Sequence, residues 1–426
     1  MTKRPHFSKP VITGLLALSL VPAIGAYCQS GYCQSKVTIN QPAATKSVAM
    51  KATGQKNGQP SKAEKLRDRN FANLKKGIGM YGWMNGYKVN SLEERRNFYT
   101  NEELRNLKEI GFTHIRLPIT PYILVGNWES RQINPQGIEL LDQAIQRILD
   151  HKLAVVVEMA PDEPSPLAKN LATSDQAVEN FAWLWDLLSK RYAKLDTERV
   201  FFEVLNEPHF DAYLKPEQAK SRWDYVVGKI VPVIRKNAPD NTIIVTGYDW
   251  SYASSMKKVK LLDDQNIVYT FHYYDPMVFT HQGTSWIQVP DVGKLKNMPY
   301  PPTAENCAAF KQGMVTKTPD FVDRYCESFK PDAITKQMDS IGDWAQKNNL
   351  KVYMGEFGVH KNPSLPQARA AYIEDVRQAA EKNGIAWSMW DYKQGFDIMK
   401  PHSATEYDPM VLNALGLKPP KEVSIK

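Results

Sequence analysis

The chain has 426 residues, 42% of them hydrophobic and 11% aromatic, the composition of a globular protein with a well-buried core. Its net charge of +8 is a mild basicity with no Lys/Arg-rich block interleaved with stacking aromatics, so nucleic acid is excluded as a partner and a solvated surface is expected. Neither its histidines nor its four cysteines show ligand spacing, so no metal and no other cofactor is expected.

The first 26 residues read as a secretory signal rather than as part of the fold. Lys3, Arg4 and Lys9 form a basic start, residues 11–24 an apolar run, and Gly25-Ala26 a small-residue exit. A membrane anchor is the alternative, but the run is shorter than the ~20 apolar residues a bilayer needs and Pro22 interrupts it. Cys28 admits a lipidated terminus, although the bulky Tyr27 fits such a cleavage site poorly. A secreted or periplasmic protein with no membrane span in the mature chain is therefore expected. An exported chain permits disulfides, and Cys307 with Cys326 is the expected loop staple. Residues 27–69, rich in Gln, Ser, Thr, Lys, Asn and Ala, bury too little to offset ordering entropy and read as a low-complexity tail or linker.

From residue 70 to 426 the texture is that of a single folded domain. Strands are expected at 77–83, 114–119, 154–159, 200–205, 242–248, 267–274, 352–359 and 385–392. Between them the apolar period lengthens to about 3.6 residues. It predicts helices at 102–110, 136–151, 175–194, 216–237, 332–348 and 367–382, a weak one at 252–263 and a last one at 410–415. Ser174 is placed to cap the third helix and Gly384 to end the one at 367–382. Eight strands alternating with helices imply an α/β fold with a parallel sheet, and closure as a (β/α)8 TIM barrel avoids exposed edges. An open doubly wound sheet would need a glycine-rich phosphate turn after strand one, and Gly77, Gly79 and Gly82 lack that spacing.

Two carboxylates stand where such a barrel keeps its chemistry. Val200-Phe201-Phe202-Glu203-Val204-Leu205 runs into Asn206-Glu207-Pro208, and Val352-Tyr353-Met354-Gly355 runs into Glu356-Phe357-Gly358, so Glu207 and Glu356 both end strands. All strand C-termini of the barrel open on one face, where Arg116, Asn206, Glu207, His272, Tyr274, Glu356 and Trp390 would meet. Each alone could be a surface cation, a core histidine or packing. Their shared rim argues for a site.

The segments His114-Ile115-Arg116-Leu117-Pro118, Leu205-Asn206-Glu207-Pro208, Phe271-His272-Tyr273-Tyr274, Gly355-Glu356-Phe357-Gly358 and Trp387-Ser388-Met389-Trp390 resemble glycoside hydrolase family 5, the cellulase-type retaining barrels, from 77 to 400. The resemblance implies that Glu207 is the acid/base and Glu356 the nucleophile. It also implies that Asn206 bonds the sugar 2-OH, Trp390 offers an apolar face and His272 a donor beside the acid/base. Arg116 would keep Glu356 ionised and Tyr274 would orient it. The chain departs from the pattern where strand three ends in Glu158-Met159-Ala160-Pro161-Asp162 instead of the usual His.

Trp83, Trp128, Trp250, Trp286 and Trp387 fall near predicted strand ends, and Trp83 and Trp286 in particular are expected to bind sugar; core packing is the alternative. The long connection after strand six is expected to wall the cleft, stiffened by its disulfide. A β-linked polysaccharide or oligosaccharide is the expected partner, a β-1,4-glucan before mannans and other β-glucans, handled by a monomer. A non-catalytic sugar-binding barrel would require a lost carboxylate. A metal-dependent barrel hydrolase would require a His-x-His pair on strand one.

Overall fold

The computed structural model describes residues 59–86, 91–161, 166–287, 291–314, 319–330 and 332–420. The expected signal segment and the expected tail up to residue 58 lie outside the described residues, as does Asp162. Eight parallel strands close into a barrel: β1 (Lys76–Gly79), β2 (His114–Ile119), β3 (Ala154–Met159), β4 (Val200–Glu203), β5 (Ile243–Val245), β6 (Ile267–Tyr273), β7 (Lys351–Phe357) and β8 (Ala386–Met389), with β8 pairing back onto β1. A two-stranded hairpin, Val125–Asn127 with Gln132–Ile133, stands apart from it.

These strands form because both of their faces are buried, which continuous apolar runs such as Ala154-Val155-Val156-Val157 satisfy. Side chains alternate between two environments. Val155, Val157, Val200 and Phe202 join the large core between strands and helices. Ala154, Val156, Phe201, Ile244, Val268, Tyr353 and Ala386 form a separate cluster with Phe71 and Leu74, which is the lower half of the barrel's interior.

Phe71 belongs to a helix, Lys62–Phe71, which overturns the expectation that the chain stays a tail up to residue 69. Ser61 and Glu64 cap its start reciprocally. Asn70 then ties it to the N-terminal ends of β4 and β5, its Nδ2 donating to Thr197 O at 3.0 Å, Asp240 O at 3.3 Å and Thr242 Oγ1 at 3.2 Å. The segment is ordered by hydrogen bonds more than by apolar burial, so composition alone does not reveal it.

The outer helices follow their periodicity. Asn101–Ile110, Pro135–Asp150, Asp175–Tyr192, Pro216–Asn237, Asp332–Lys347, Pro366–Lys382 and Pro409–Ala414 match the expected ones within two residues at each end. Ser174 Oγ accepts from Ala177 N at 3.3 Å, and Gly384 (φ +69°) follows the end of Pro366–Lys382. The helix expected at 252–263 is one turn only, Ala253–Met256. Among the described residues no helix is long and apolar enough to cross a membrane.

The β6–β7 connection carries the helices Met277–Thr280, Ala304–Gln312 and Asp320–Ser328, and the Cys307–Cys326 disulfide joins the last two across a Cα separation of 6.0 Å. Phe279 stacks on Tyr325, and Tyr300 meets Tyr372 of helix Pro366–Lys382 edge-on. The disulfide thus braces an aromatic layer against an outer helix, while the part of the connection nearest the barrel mouth, Thr280 to Gln282, bonds to His360 after β7.

Candidate active site

Moving up the barrel from its apolar lower half, the same inward positions turn polar. On β3 the inward set Ala154, Val156 ends in Glu158; on β4 Phe201 is followed by Glu203; on β6 Val268 is followed by Thr270 and His272; on β2 His114 is followed by Arg116. All of these polar side chains are buried.

On β7 simple alternation from the inward Tyr353 would point Gly355 inward and Glu356 away. A bulge prevents this. Phe271 stands opposite Met354 but His272 stands opposite Glu356, and on the other side Trp387 faces Met354 while Met389 faces Phe357. Gly355 and Glu356 together occupy one register position, which turns Glu356 into the barrel. The extra residue has to be glycine, since a Cβ there would lie 2.8 Å from Thr270 Oγ1 and 3.3 Å from His272 Nε2. Glu207 reaches the site by another device: it sits past the end of β4 with a left-handed φ of +39°, and His209 Nδ1 donates to its carbonyl at 2.9 Å.

Six expected residues converge. Arg116 Nη1 donates to Glu356 Oε1 at 2.6 Å, and Tyr274 Oη donates to Glu356 Oε2 at 2.9 Å. Arg116 Nη2 donates to Asn206 Oδ1 at 2.8 Å and lies 3.5 Å from His272 Nε2. A guanidinium can only donate, so His272 Nε2 accepts and its proton is on Nδ1, which donates to Glu207 Oε1 at 2.7 Å. An oxygen of Glu207, one of Glu356 and a His272 ring nitrogen lie within 4.8 Å of one another. That trio has the makings of a cation site, but both Glu356 oxygens already accept hydrogen bonds, and one faces the Arg116 charge.

Burial sets the protonation states. His272 is pushed down to about 4, chiefly by desolvation, so the imidazole is neutral around pH 7. Burial also raises the Glu356 carboxyl above its ordinary value, with Glu207 adding to the rise and His272, Arg116 and the Tyr274 hydroxyl opposing it. The Tyr274 phenol is held well above its usual range by burial and by the two glutamates, so it keeps the proton it donates.

Trp390, half-buried, lies across β1, where Gly79 leaves room: a Cβ there would come within 2.7 Å of the indole. Trp83 contradicts its expectation. β1 ends at Gly79, the chain reverses at Gly82 (φ +94°), and Trp83 is only 1% exposed between Tyr99 and the Arg147 guanidinium. It is core, not a sugar platform. Trp387 is likewise buried, donating its Nε1 proton to Glu381, and Trp128 is partly buried against the main core. Trp286 is 60% exposed and edge-on to His360, and Trp250 is 42% exposed and stacked on His209. Two residues that the sequence leaves inside their strands, Glu158 and Glu203, prove to be buried partners of Arg116. A charge at an inward position of a fully buried strand is the signal for both. A groove on the outer wall, lined by Arg96, Arg147 and Arg191, shares no residue with the site.

Comparison with known proteins gives a consistent result. The family model described as cellulase (glycosyl hydrolase family 5) matches residues 75–395. Endoglucanase C of Acetivibrio thermocellus is 26% identical over 332 residues, 76% of this chain and 92% of that protein. Cellodextrinase A of Ruminococcus flavefaciens is 28% identical over 319 residues, 73% of this chain and 83% of that protein. Among solved structures, the cellulose synthase subunit Z of Clostridioides difficile superposes with a TM-score of 0.63 at 26% identity, covering 80% of this chain and 99% of that one.

Proposed function

Since the chain belongs to glycosyl hydrolase family 5 and is a glycoside hydrolase, we propose that it cleaves β-1,4-linked glucan with retention of anomeric configuration, Glu207 serving as acid/base and Glu356 as nucleophile. The observation that carries this reading is the pair of carboxylate oxygens within 4.8 Å of one another. Retaining enzymes hold their carboxyl groups about 5–5.5 Å apart and inverting ones about 6.5 Å or more, and an approach of single oxygens this close supports the shorter spacing.

Glu207 gives its proton to the glycosidic oxygen as the bond to C1 breaks, and a Glu356 oxygen bonds to C1 from the opposite face. A water then attacks C1, loses its proton to Glu207 and releases Glu356. Arg116 and Tyr274, which both donate to Glu356, keep it aimed in its anionic form and receive the charge back when the intermediate breaks down. Arg116 occupies Asn206 Oδ1, so the amide Nδ2 is the donor offered to a sugar hydroxyl. Trp390 supplies the apolar face beneath the ring, and Trp286 an exposed platform further out. The glucan assignment is supported by the endoglucanase and cellodextrinase named above, and export by the basic-apolar-small start of the chain.

A mannan or another β-glycan is the second reading, favoured by one feature: β3 leads into Met159-Ala160-Pro161, where the small, buried Ala160 presents no ring donor to the sugar. The deciding experiment digests carboxymethylcellulose, barley β-glucan, glucomannan, mannan and xylan, and follows the first product by proton NMR. Release of β-anomer from the β-1,4-glucans is expected. Initial α-anomer, or no cleavage of any of these polymers, overturns the proposal.

A further inference from the structure

Every nitrogen of the Arg116 guanidinium donates to a neighbouring acceptor. Nε donates to Glu203 Oε2 at 2.9 Å and Nη2 to Glu203 Oε1 at 2.8 Å, a two-point hold. Nη2 also donates to Asn206 Oδ1 and, at the longer distance of 3.5 Å, to His272 Nε2, while Nη1 donates to Glu356 at 2.6 Å and forms an ion pair with Glu158 Oε2 at 3.3 Å. Glu203 touches neither Glu207 nor Glu356 and is 1% exposed. We propose that Glu203 is a positioning residue that sets the basicity of the nucleophile, by fixing the plane of Arg116 and by taking a share of its charge.

Two physical consequences follow from that geometry. A bidentate carboxylate fixes a guanidinium's orientation as well as its position, so Nη1 is presented to Glu356 without freedom to turn. A single positive charge is also divided among carboxylates arriving from three strands: Glu158 on β3, Glu203 on β4 and Glu356 on β7. The remaining groups facing Glu356 are His272 on β6, Tyr274 just beyond it, Glu207 beyond β4 and Asp391 beyond β8. In so dry a place like charges act strongly. Each carboxylate that shares Arg116 makes the Glu356 anion less comfortable and therefore a better nucleophile. Full possession of Arg116 would leave Glu356 ionised but inert.

This inference rests on Glu356 being the nucleophile, so its test begins there. Wild-type enzyme is inactivated with a 2-deoxy-2-fluoro-β-cellobiosyl fluoride, and the labelled peptide is sequenced; a label anywhere but Glu356 overturns the underlying reading. With the label on Glu356, kcat/KM is measured against pH for Glu203→Gln, Glu203→Asp and Glu158→Gln. In Glu203→Gln the acid limb is expected to move to lower pH by about one unit or more, while the glycosylation rate at the optimum falls about 10–100-fold. Glu203→Asp retains the charge, so its acid limb stays where the wild-type limb lies although its rate falls. Glu158→Gln removes a charge from the same guanidinium without touching the two-point hold, and its limb moves in the same direction as that of Glu203→Gln; it carries the test should Glu203→Gln fail to fold. A purely structural Glu203 lowers Tm and kcat and leaves the limb of every folded variant in place, which overturns the proposal while the nucleophile assignment stands.

Discussion

The lower and upper halves of the barrel's interior are made by the same strands at the same inward positions, yet they follow opposite rules. Below, Val156, Phe201, Ile244 and Val268 pack on Phe71 and Leu74, and stability comes from excluding water. Above, Glu158, Glu203, Arg116, His272 and Glu356 are equally buried but charged or polar, and they persist because each has a partner. One pleat separates the two regimes: Val156 from Glu158, and Phe201 from Glu203. The lower half stabilises the closed ring of strands, which in turn holds the crowded polar cluster in register.

The sharpest way to break this division is a crossed pair of substitutions, one in each half. Glu356→Gln is expected to lower kcat by about 10⁴-fold or more. Its Tm should stay at or above that of the wild type, because the amide removes one of several crowded negative charges. Phe201→Ala is expected to do the reverse, costing about 3–5 kcal/mol of stability through lost burial and a cavity while kcat per folded molecule stays within about twofold. Urea denaturation and turnover of a soluble cellulose derivative, measured on both proteins, decide the matter. A large loss of stability in Glu356→Gln, or a large loss of kcat in folded Phe201→Ala, would show that the halves are not separable.

Gly355 lies between the two regimes, because its bulge carries β7 from the apolar parity of Tyr353 to the catalytic parity of Glu356. An alanine Cβ there meets Thr270 Oγ1 and His272 Nε2 inside van der Waals contact. Gly355→Ala is therefore expected to cost both properties moderately, about 1–3 kcal/mol of stability and about 10–100-fold in kcat/KM. If only one of the two changes, the bulge serves one half alone.

Much of this division is legible in the amino-acid sequence, and each exception has a physical cause. The strands and the long outer helices announce themselves by period, since burial on two faces or on one stripe leaves a strong pattern. Glu207 and Glu356 are legible because each interrupts an apolar run at a strand end. Lys62–Phe71 is not, because Arg67 and Asn70 are buried through hydrogen bonds and leave no apolar stripe to read. Trp83 is misplaced by its sequence pattern because β1 stops at Gly79, four residues earlier than the apolar run suggests. The bulge at Gly355 is hidden too, since parity can be counted along one strand but a slip shows only against its neighbours.

The smallest and most discriminating expectation concerns His114, at the border between the two halves. Its ring is fully buried, bonded through Nε2 to Tyr353 Oη at 2.8 Å, and burial, helped by the Arg116 charge, pushes it down to about 3. An ordinary histidine takes up its proton near 6.5, so between pH 6.5 and 3 the unfolded chain binds a proton at this position that the folded chain refuses. Because the unfolded state holds more protons there, the stability contributed by neutral His114 is complete above pH 6.5 and is lost as pH falls through that window. His272 has a similarly low value but sits among carboxylates whose own titration opposes it, so its signature is masked. His114→Gln removes one titration from the quiet half: from pH 7 to pH 5 the wild type should lose more unfolding free energy than the variant, by up to about 1.4 kcal/mol per pH unit below 6.5. Parallel losses in urea titrations at the two pH values would mean that the ring can be protonated where it lies, and that water and charge reach further down the barrel than its apolar floor implies.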